Sequence, residues 1–210
     1  MALNSMQEIF KKAASRSIPF WRVVLETDME ERQVTEAQSW EKMRQTWEAM
    51  LESAVSYRAE QRSRSGLVGG DGAQMRRYAA ADTTYSGPYV QEVIATALSV
   101  GESNACMRKI VAAPTAGACG VLPGAFLSAA EERGLGDDAI VDGLLVAAAV
   151  GVLVAMRAPI SGAIGGCQSE IGVASAMTAA GSNSVPHICT RSGRSACKSG
   201  AKAAVSRTTR

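Results

Sequence analysis

Apolar positions recur along this chain at intervals of three and four residues, broken by glycine-rich stretches, and that periodicity predicts a string of helices. The clearest stripe is Trp40, Met43, Trp47, Met50/Leu51 and Ala54. Thr35-Glu36-Ala37-Gln38 stands ahead of it as a capping box, so a helix of about seven turns is expected, with Glu41, Arg44, Glu48 and Glu52 on its solvated face. Before it come short helices and a turn at Ile18-Pro19. After it the order is a glycine-rich loop from Arg62 to Gly72, a short helix to about Ala80 and a turn at Ser86-Gly87-Pro88. Pro88 suits a first helical turn, so a helix is expected from there to about Val100, then another from about Glu102 to Ala112 that stops before Pro114. A further helix is expected from about Pro123 to Gly134.

Residues 139–156, AIVDGLLVAAAVGVLVAM, are the most apolar run. The run is close to a membrane span in length, but Asp142 and the share of Ala and Gly favour a buried central helix. Arg157 and Pro159 end it. A last helix is expected to open at Cys167 and run to about Ala180. The fold class is therefore all-α: a compact helical domain with Gly-rich loops leading into helix N-termini.

Composition sharpens this picture. The 210 residues are 47% hydrophobic, but only 5% are aromatic and none of those follows Phe126. With 36 Ala and 20 Gly, the body has to pack by close backbone approach, and it is poor in the residues that favour strands. The net charge of +2 hides an asymmetry: residues 181–210 hold six basic residues and no acid, while residues 1–180 hold 16 basic and 20 acidic. The mildly acidic body argues against nucleic acid as a partner. The N-terminus has no signal-peptide core, so a reducing, cytoplasmic setting is expected, without a membrane partner. In that setting Cys106, Cys119, Cys167, Cys189 and Cys197 are thiols or metal ligands rather than disulfides. From Gly181 the apolar stripe is lost, and six Ser appear with the basic residues. The domain is expected to be incomplete at about residue 180, followed by a disordered basic tail over 181–210 that reads as a change of reading frame. Without following helices, Leu144, Val150 and Leu153 are expected to be partly uncovered.

Three loops lead towards helices: the Ser65 loop, the Thr115 loop and Ser161–Gly166. Helix N-termini attract anions such as a carboxylate, which makes Ser65, Gly66, Thr115 and Gly117 candidate substrate contacts. Cys167 follows Gly165-Gly166 at a helix start, where the dipole favours the thiolate that binds metal. Read without context, a buried structural role is still favoured over a ligand role for Cys167, and more strongly so for Cys119 and Cys106. No CxxC is present, and the only histidine, His187, lies in the basic segment, so the body has no histidine base. Lys109 is a formal Schiff-base candidate, but no cofactor-phosphate pattern accompanies it, and a surface or ion-paired role is preferred.

Three stretches together resemble a known family. They are Arg64-Ser-Gly-Leu-Val-Gly-Gly-Asp71, Lys109-Ile-Val-Ala-Ala-Pro-Thr-Ala-Gly-Ala-Cys-Gly-Val-Leu-Pro-Gly124 and Ile160-Ser-Gly-Ala-Ile-Gly-Gly-Cys-Gln-Ser-Glu-Ile-Gly172. In order and spacing they are similar to the alpha subunit of iron–sulfur-dependent L-serine dehydratase, over about residues 5–180. The resemblance implies an all-helical domain, a separate beta subunit as partner, and conversion of L-serine to pyruvate and ammonia. It implies a 4Fe–4S cluster held by three cysteines and used as a Lewis acid, with no pyridoxal phosphate. Cys167 matches the first cluster cysteine; the Cys-Asp-Pro and Pro-Cys stretches that carry the others are absent, and neither Cys189 nor Cys197 matches them. Ser65, Gly66, Thr115 and Gly117 fall within the motifs. Cys106, Arg108 and Pro159 depart from the family pattern, and Arg108 is expected to disturb a tight helix contact. A catalytically inactive fragment is the alternative reading, and a pyridoxal-phosphate lyase using Lys109 a distant third.

Overall fold

The structure, a computed structural model, describes residues 5–81 and 84–189, with side chains described up to Val185. Its elements are α1 (Met6–Arg16), α2 (Phe20–Arg32), α3 (Glu36–Val55), α4 (Asp71–Ala79), α5 (Pro88–Ala105), a 3-10 turn at Ala116–Ala118, α6 (Val121–Arg133), α7 (Asp137–Ala155) and α8 (Gly162–Cys189). No strand occurs among the described residues, so the all-α expectation holds.

Local chemistry sets most helix ends. Ser5 Oγ accepts from the Glu8 amide at 3.2 Å to start α1. Thr35 and Gln38 close the expected capping box of α3. That helix has 20 residues, about five and a half turns rather than seven. Pro88 occupies the first turn of α5, and Gly134, at φ 63°, ends α6.

Two expected boundaries are corrected. The helices foreseen on either side of Gly101 are one helix, α5, which passes through that glycine and ends at Ala105. The Ser99 and Ser103 hydroxyls donate back to the Ala95 and Ser99 carbonyls and so take part in the helix rather than breaking it. The end is a left-handed closure: Met107 has φ 60°, its amide donates to Asn104 O, and the Arg108 amide donates to Ser103 O. Cys106 is consequently a C-cap and not mid-helix, and Arg108 lies beyond the helix, donating to Gln61 Oε1 at 2.5 Å. The second correction concerns α8, which continues past Ala180 to Cys189, with Gly181 and Val185 buried. The first part of the expected tail is therefore helix, while residues 190–210 lie outside the described residues.

The apolar run expected as the central helix is α7. One side of it (Ile140, Val141, Leu144, Ala147, Val150) joins a core with α3, α6 and α8, around Trp47, Phe126 and Met177. The other side (Leu145, Ala149, Leu153) packs on Ile9 of α1 and Val23, Val24 and Leu25 of α2. Leu144, Val150 and Leu153 are thus buried, against the expectation that they would be uncovered. Apolar exposure is found instead at Val152 of α7, at Met156 just beyond its end, and at Val90, Ile94 and Leu98 of α5. Among the described helices α7 alone is long and apolar enough to cross a membrane, and here it is the core.

Glycine makes these crossings possible. A Cβ at Gly181 would lie 2.6 Å from the Gly143 carbonyl oxygen and 2.7 Å from the Phe126 ring. A Cβ at Gly143 would lie 2.7 Å from Val185 and 3.0 Å from the Gly181 oxygen. α7 and α8 therefore touch backbone to backbone. On the other side of α6, Gly120 meets the Ala97 carbonyl of α5 in the same way.

Two groups tie the first half of α7 to α3. Trp47 Nε1 donates to Asp137 Oδ1 at 2.9 Å. Asp142 is buried, and burial pushes its carboxyl up to about 7; a hydrogen bond with Trp40 offsets part of the rise and Asp138 adds to it.

The glycine crossing has a direct test. Gly181→Ala should lower stability by about 1–3 kcal/mol despite the better helix propensity of Ala, because the new methyl meets a fixed carbonyl. Gly101→Ala, which faces open space, should instead stabilise by about 1 kcal/mol. Denaturant melts of the two variants check this, and equal effects would contradict the close crossing. A second prediction concerns pH. The folded chain keeps the Asp142 proton up to about pH 7, whereas an unfolded carboxyl loses it near pH ~4. The folded state is the better proton binder, so the associated stability is whole below about pH 4 and disappears as pH rises towards about 7, by about 2–4 kcal/mol. Asp142→Asn should remove that slope, read from denaturant midpoints measured across the range.

Candidate functional site

The Ser65 loop is a tight turn leading to α4. Ser63 N donates to Val68 O at 2.9 Å, Gly66 N donates to Ser63 O at 2.8 Å, and Gly66 takes φ +74°, a conformation suited to glycine. Ser65 and Gly66 are at its exposed tip. Ser65 Oγ pairs with Ser63 Oγ at 3.0 Å and accepts from Leu67 N at 3.4 Å. The helix N-terminus beyond the turn is already occupied. Glu102 Oε1 accepts from the Asp71 and Gly72 amides at 2.5 and 3.3 Å, and Tyr57 Oη accepts from the Ala73 amide at 3.1 Å. The anion there is thus the protein's own buried carboxylate, and Gly72 lacks a Cβ where Ser99 of α5 presses in. Glu102 was not a sequence candidate; its place within α5 gave no signal that it would reach another helix.

The Thr115 and Cys167 motifs, 52 residues apart in sequence, meet through a residue that was not singled out. Glu170 lies on α8, three positions after Cys167, and its Oε1 accepts a hydrogen bond from the Thr115 hydroxyl. A Cβ at Gly117 would lie 2.6 Å from the Glu170 carboxylate, and one at Gly162 would lie 2.8 Å from it. The carboxylate therefore fills a space left by two glycines, one in each motif. Asn104 Nδ2, at the end of α5, donates to Ala116 O at 2.9 Å and holds the Thr115 turn. On the α8 side, Ser169 Oγ donates to Pro159 O at 2.5 Å and folds the incoming loop back on the helix. The spacing of Glu170 from Cys167 put both near the helix start, and that was the available sequence signal. No hydrogen bond among the described residues joins Ser65 or Gly66 to this cluster.

Gly166 separates the first turn of α8 from the rest. Its φ of 80° and ψ of 165° break the helix, which resumes at Cys167. That thiol is exposed, and so accessible in a way that a packed structural cysteine is not. Cys119 is the opposite case: it is buried, its sulfur faces Val100 O at 4.0 Å, and burial pushes its thiol up. Cys106 is half-buried at the end of α5. No group of three or more His, Cys, Asp or Glu that could hold a metal ion occurs among the described residues. One exposed thiol does not fit a cluster that needs three, so the described residues do not by themselves form a 4Fe–4S site. The side chains of His187 and Cys189, and all of Cys197, lie outside the described residues.

Lys109 takes the ion-paired role expected of it: its Nζ lies 2.5 Å from Glu52 Oε2, with both side chains exposed.

Comparison with known proteins places this sequence among serine dehydratase alpha chains. The sequence profile of the family described as "Serine dehydratase alpha chain" matches residues 15–203, a span that passes Gly181. The "Probable L-serine dehydratase, alpha chain" of Bacillus subtilis is 34% identical over 178 residues, covering 84% of this chain and 59% of its own length. The "L-serine dehydratase, alpha chain" of Peptoniphilus asaccharolyticus is 32% identical over 179 residues, 85% of this chain and 61% of its own. The "L-serine dehydratase 2" of Escherichia coli is 48% identical over 87 residues, 40% of this chain and 19% of its own. This chain thus spans about three fifths of the length of its first two relatives. No solved structure matches it. With nine tenths of its length inside the family profile and its two long motifs meeting at Glu170, the chain belongs to the serine dehydratase alpha chain family.

Proposed function

We propose that this chain is the alpha subunit of an L-serine ammonia-lyase and works with a beta subunit to convert L-serine to pyruvate and ammonia. The observation that carries the reading is the junction at Glu170, which brings the Thr115 turn onto the helix that starts at Cys167. In this reading the Thr115 turn is the substrate side of the site and the exposed Cys167 thiol is its cofactor side. Thr115 supplies a hydroxyl, and Gly117, without a side chain, leaves room for the Glu170 carboxylate beside it. Ser65 and Gly66, at an exposed turn, are further candidate contacts to substrate.

Cys167 is the one exposed thiol that the described residues offer to an iron–sulfur cluster of the kind the family resemblance implies. When bound, such a cluster supplies Lewis acidity towards the substrate hydroxyl. Its remaining ligands would come from outside the described residues or from another chain. Lys109 pairs with Glu52 on the surface, the ion-paired role rather than the Schiff-base one. The setting of such an enzyme, acting on a free amino acid with a labile cluster, is the cytoplasm.

The test is anaerobic reconstitution of the full chain with iron and sulfide, followed by metal analysis and by pyruvate formation with the beta subunit. Cys167→Ala should lose most of the bound iron and any turnover together, while Cys119→Ala, at a buried thiol, should keep iron. Full iron retention by Cys167→Ala would remove this thiol from the cofactor assignment, and absence of pyruvate with iron bound would favour the inactive-fragment alternative.

A further inference from the structure

Outside the cysteine assignment, the feature of the site with most chemical content is the carboxylate of Glu170. Three observations bear on it. It is half-buried, it accepts a hydrogen bond from the Thr115 hydroxyl, and it occupies a space that exists because Gly117 and Gly162 have no side chain. A Cβ at either glycine would stand 2.6–2.8 Å from it. Two segments far apart in sequence are therefore both shaped to admit this one group.

An ionised carboxylate only accepts hydrogen bonds, whereas a hydroxyl has one proton and two lone pairs. With the Thr115 hydroxyl donating to Glu170, its oxygen can offer a ligand only lone pairs. The partner that suits such an oxygen, beside a negative charge, is a donor with positive charge. We infer that Glu170 is a positioning residue that turns the Thr115 hydroxyl into an acceptor for a protonated amine, so that the site selects α-amino acids over the corresponding hydroxy acids. This rests on the reading of the chain as a serine-binding subunit and deepens it. In that reading the α-ammonium of L-serine meets Thr115 Oγ1, leaving the carboxylate and side-chain hydroxyl for other groups.

Glu170→Gln makes the inference testable, because it keeps the size of the side chain, removes its charge and adds a donor. The new side-chain amide can donate to Thr115 Oγ1, which frees the hydroxyl proton to point at the ligand. That arrangement disfavours an ammonium and accommodates a hydroxyl. The experiment is calorimetric titration of the anaerobically reconstituted full chain with L-serine and with L-glycerate, which has a hydroxyl in place of the ammonium. Glu170→Gln should weaken L-serine by about tenfold or more and leave L-glycerate within about twofold, which shifts the ratio of the two affinities. Thr115→Ser should keep the wild-type ratio, and Thr115→Val should lower it. Gly117→Ala, by pushing the carboxylate aside, should reproduce the ratio of Glu170→Gln. This variant also decides the matter if Glu170→Gln melts early.

Equal weakening of both ligands by Glu170→Gln and Gly117→Ala would overturn the inference and reduce Glu170 to a structural tie. Unchanged L-serine binding in both variants would overturn it as well, while the serine-binding reading stood. An unmodified chain that binds neither ligand would instead overturn the serine-binding reading and this inference with it.

Discussion

The backbone contact between α7 and α8 at Gly143 and Gly181 is the constraint on which the rest of this structure depends. The molecule has few large side chains to span wide gaps between helices. It therefore brings helices close enough for carbonyl oxygens and glycines to touch, and dispersion contacts accumulate over short distances. α7 is apolar on nearly every side because it is covered on nearly every side, by α1 and α2 on one flank and by α3, α6 and α8 on the other. One extra methyl at the crossing would push α8 away from α7. The start of α8 would then move with respect to the Thr115 turn.

Two carboxylates meet glycines in this fold in parallel ways. Glu102 reaches from α5 to take the first amides of α4, against Gly72. Glu170 reaches from α8 to the Thr115 hydroxyl, against Gly117 and Gly162. The first satisfies a helix end and so closes it to outside anions; the charge it places there is of the sign the helix dipole favours. The second follows an exposed thiol by three residues and bonds a hydroxyl rather than a helix end.

Buried charge is used sparingly elsewhere. Asp142 sits in the core with Trp40 as partner and responds by holding its proton. Asp137, at the start of α7, stays nearer solvent and receives the Trp47 indole. The ion pairs on the outer face, such as Arg16 with Glu26 and Lys109 with Glu52, are largely solvated and contribute little to stability.

The sequence by itself determined the helical class, the central place of residues 139–156, the capping box at Thr35 and the reliance on close backbone approach. These are local or compositional properties: periodicity, cap chemistry and side-chain size act within a few residues. It also showed, through three motifs, which family the chain resembles, and it singled out Cys167 and Thr115. Tertiary structure alone decided what those residues meet. That α5 runs through Gly101 to Ala105 goes with the burial of Glu102 and Ser103 beyond that glycine, which is a tertiary property. That α8 runs past Ala180 depended on Phe126 and Gly143 closing over Gly181, a contact that no periodic stripe in the last segment announces. The roles of Glu102 and Glu170 were hidden for the same reason. A carboxylate on a helix reads as a solvated face until the fold brings a bare helix end or a hydroxyl beside it, and here that partner lies 31 residues away in one case and 55 in the other.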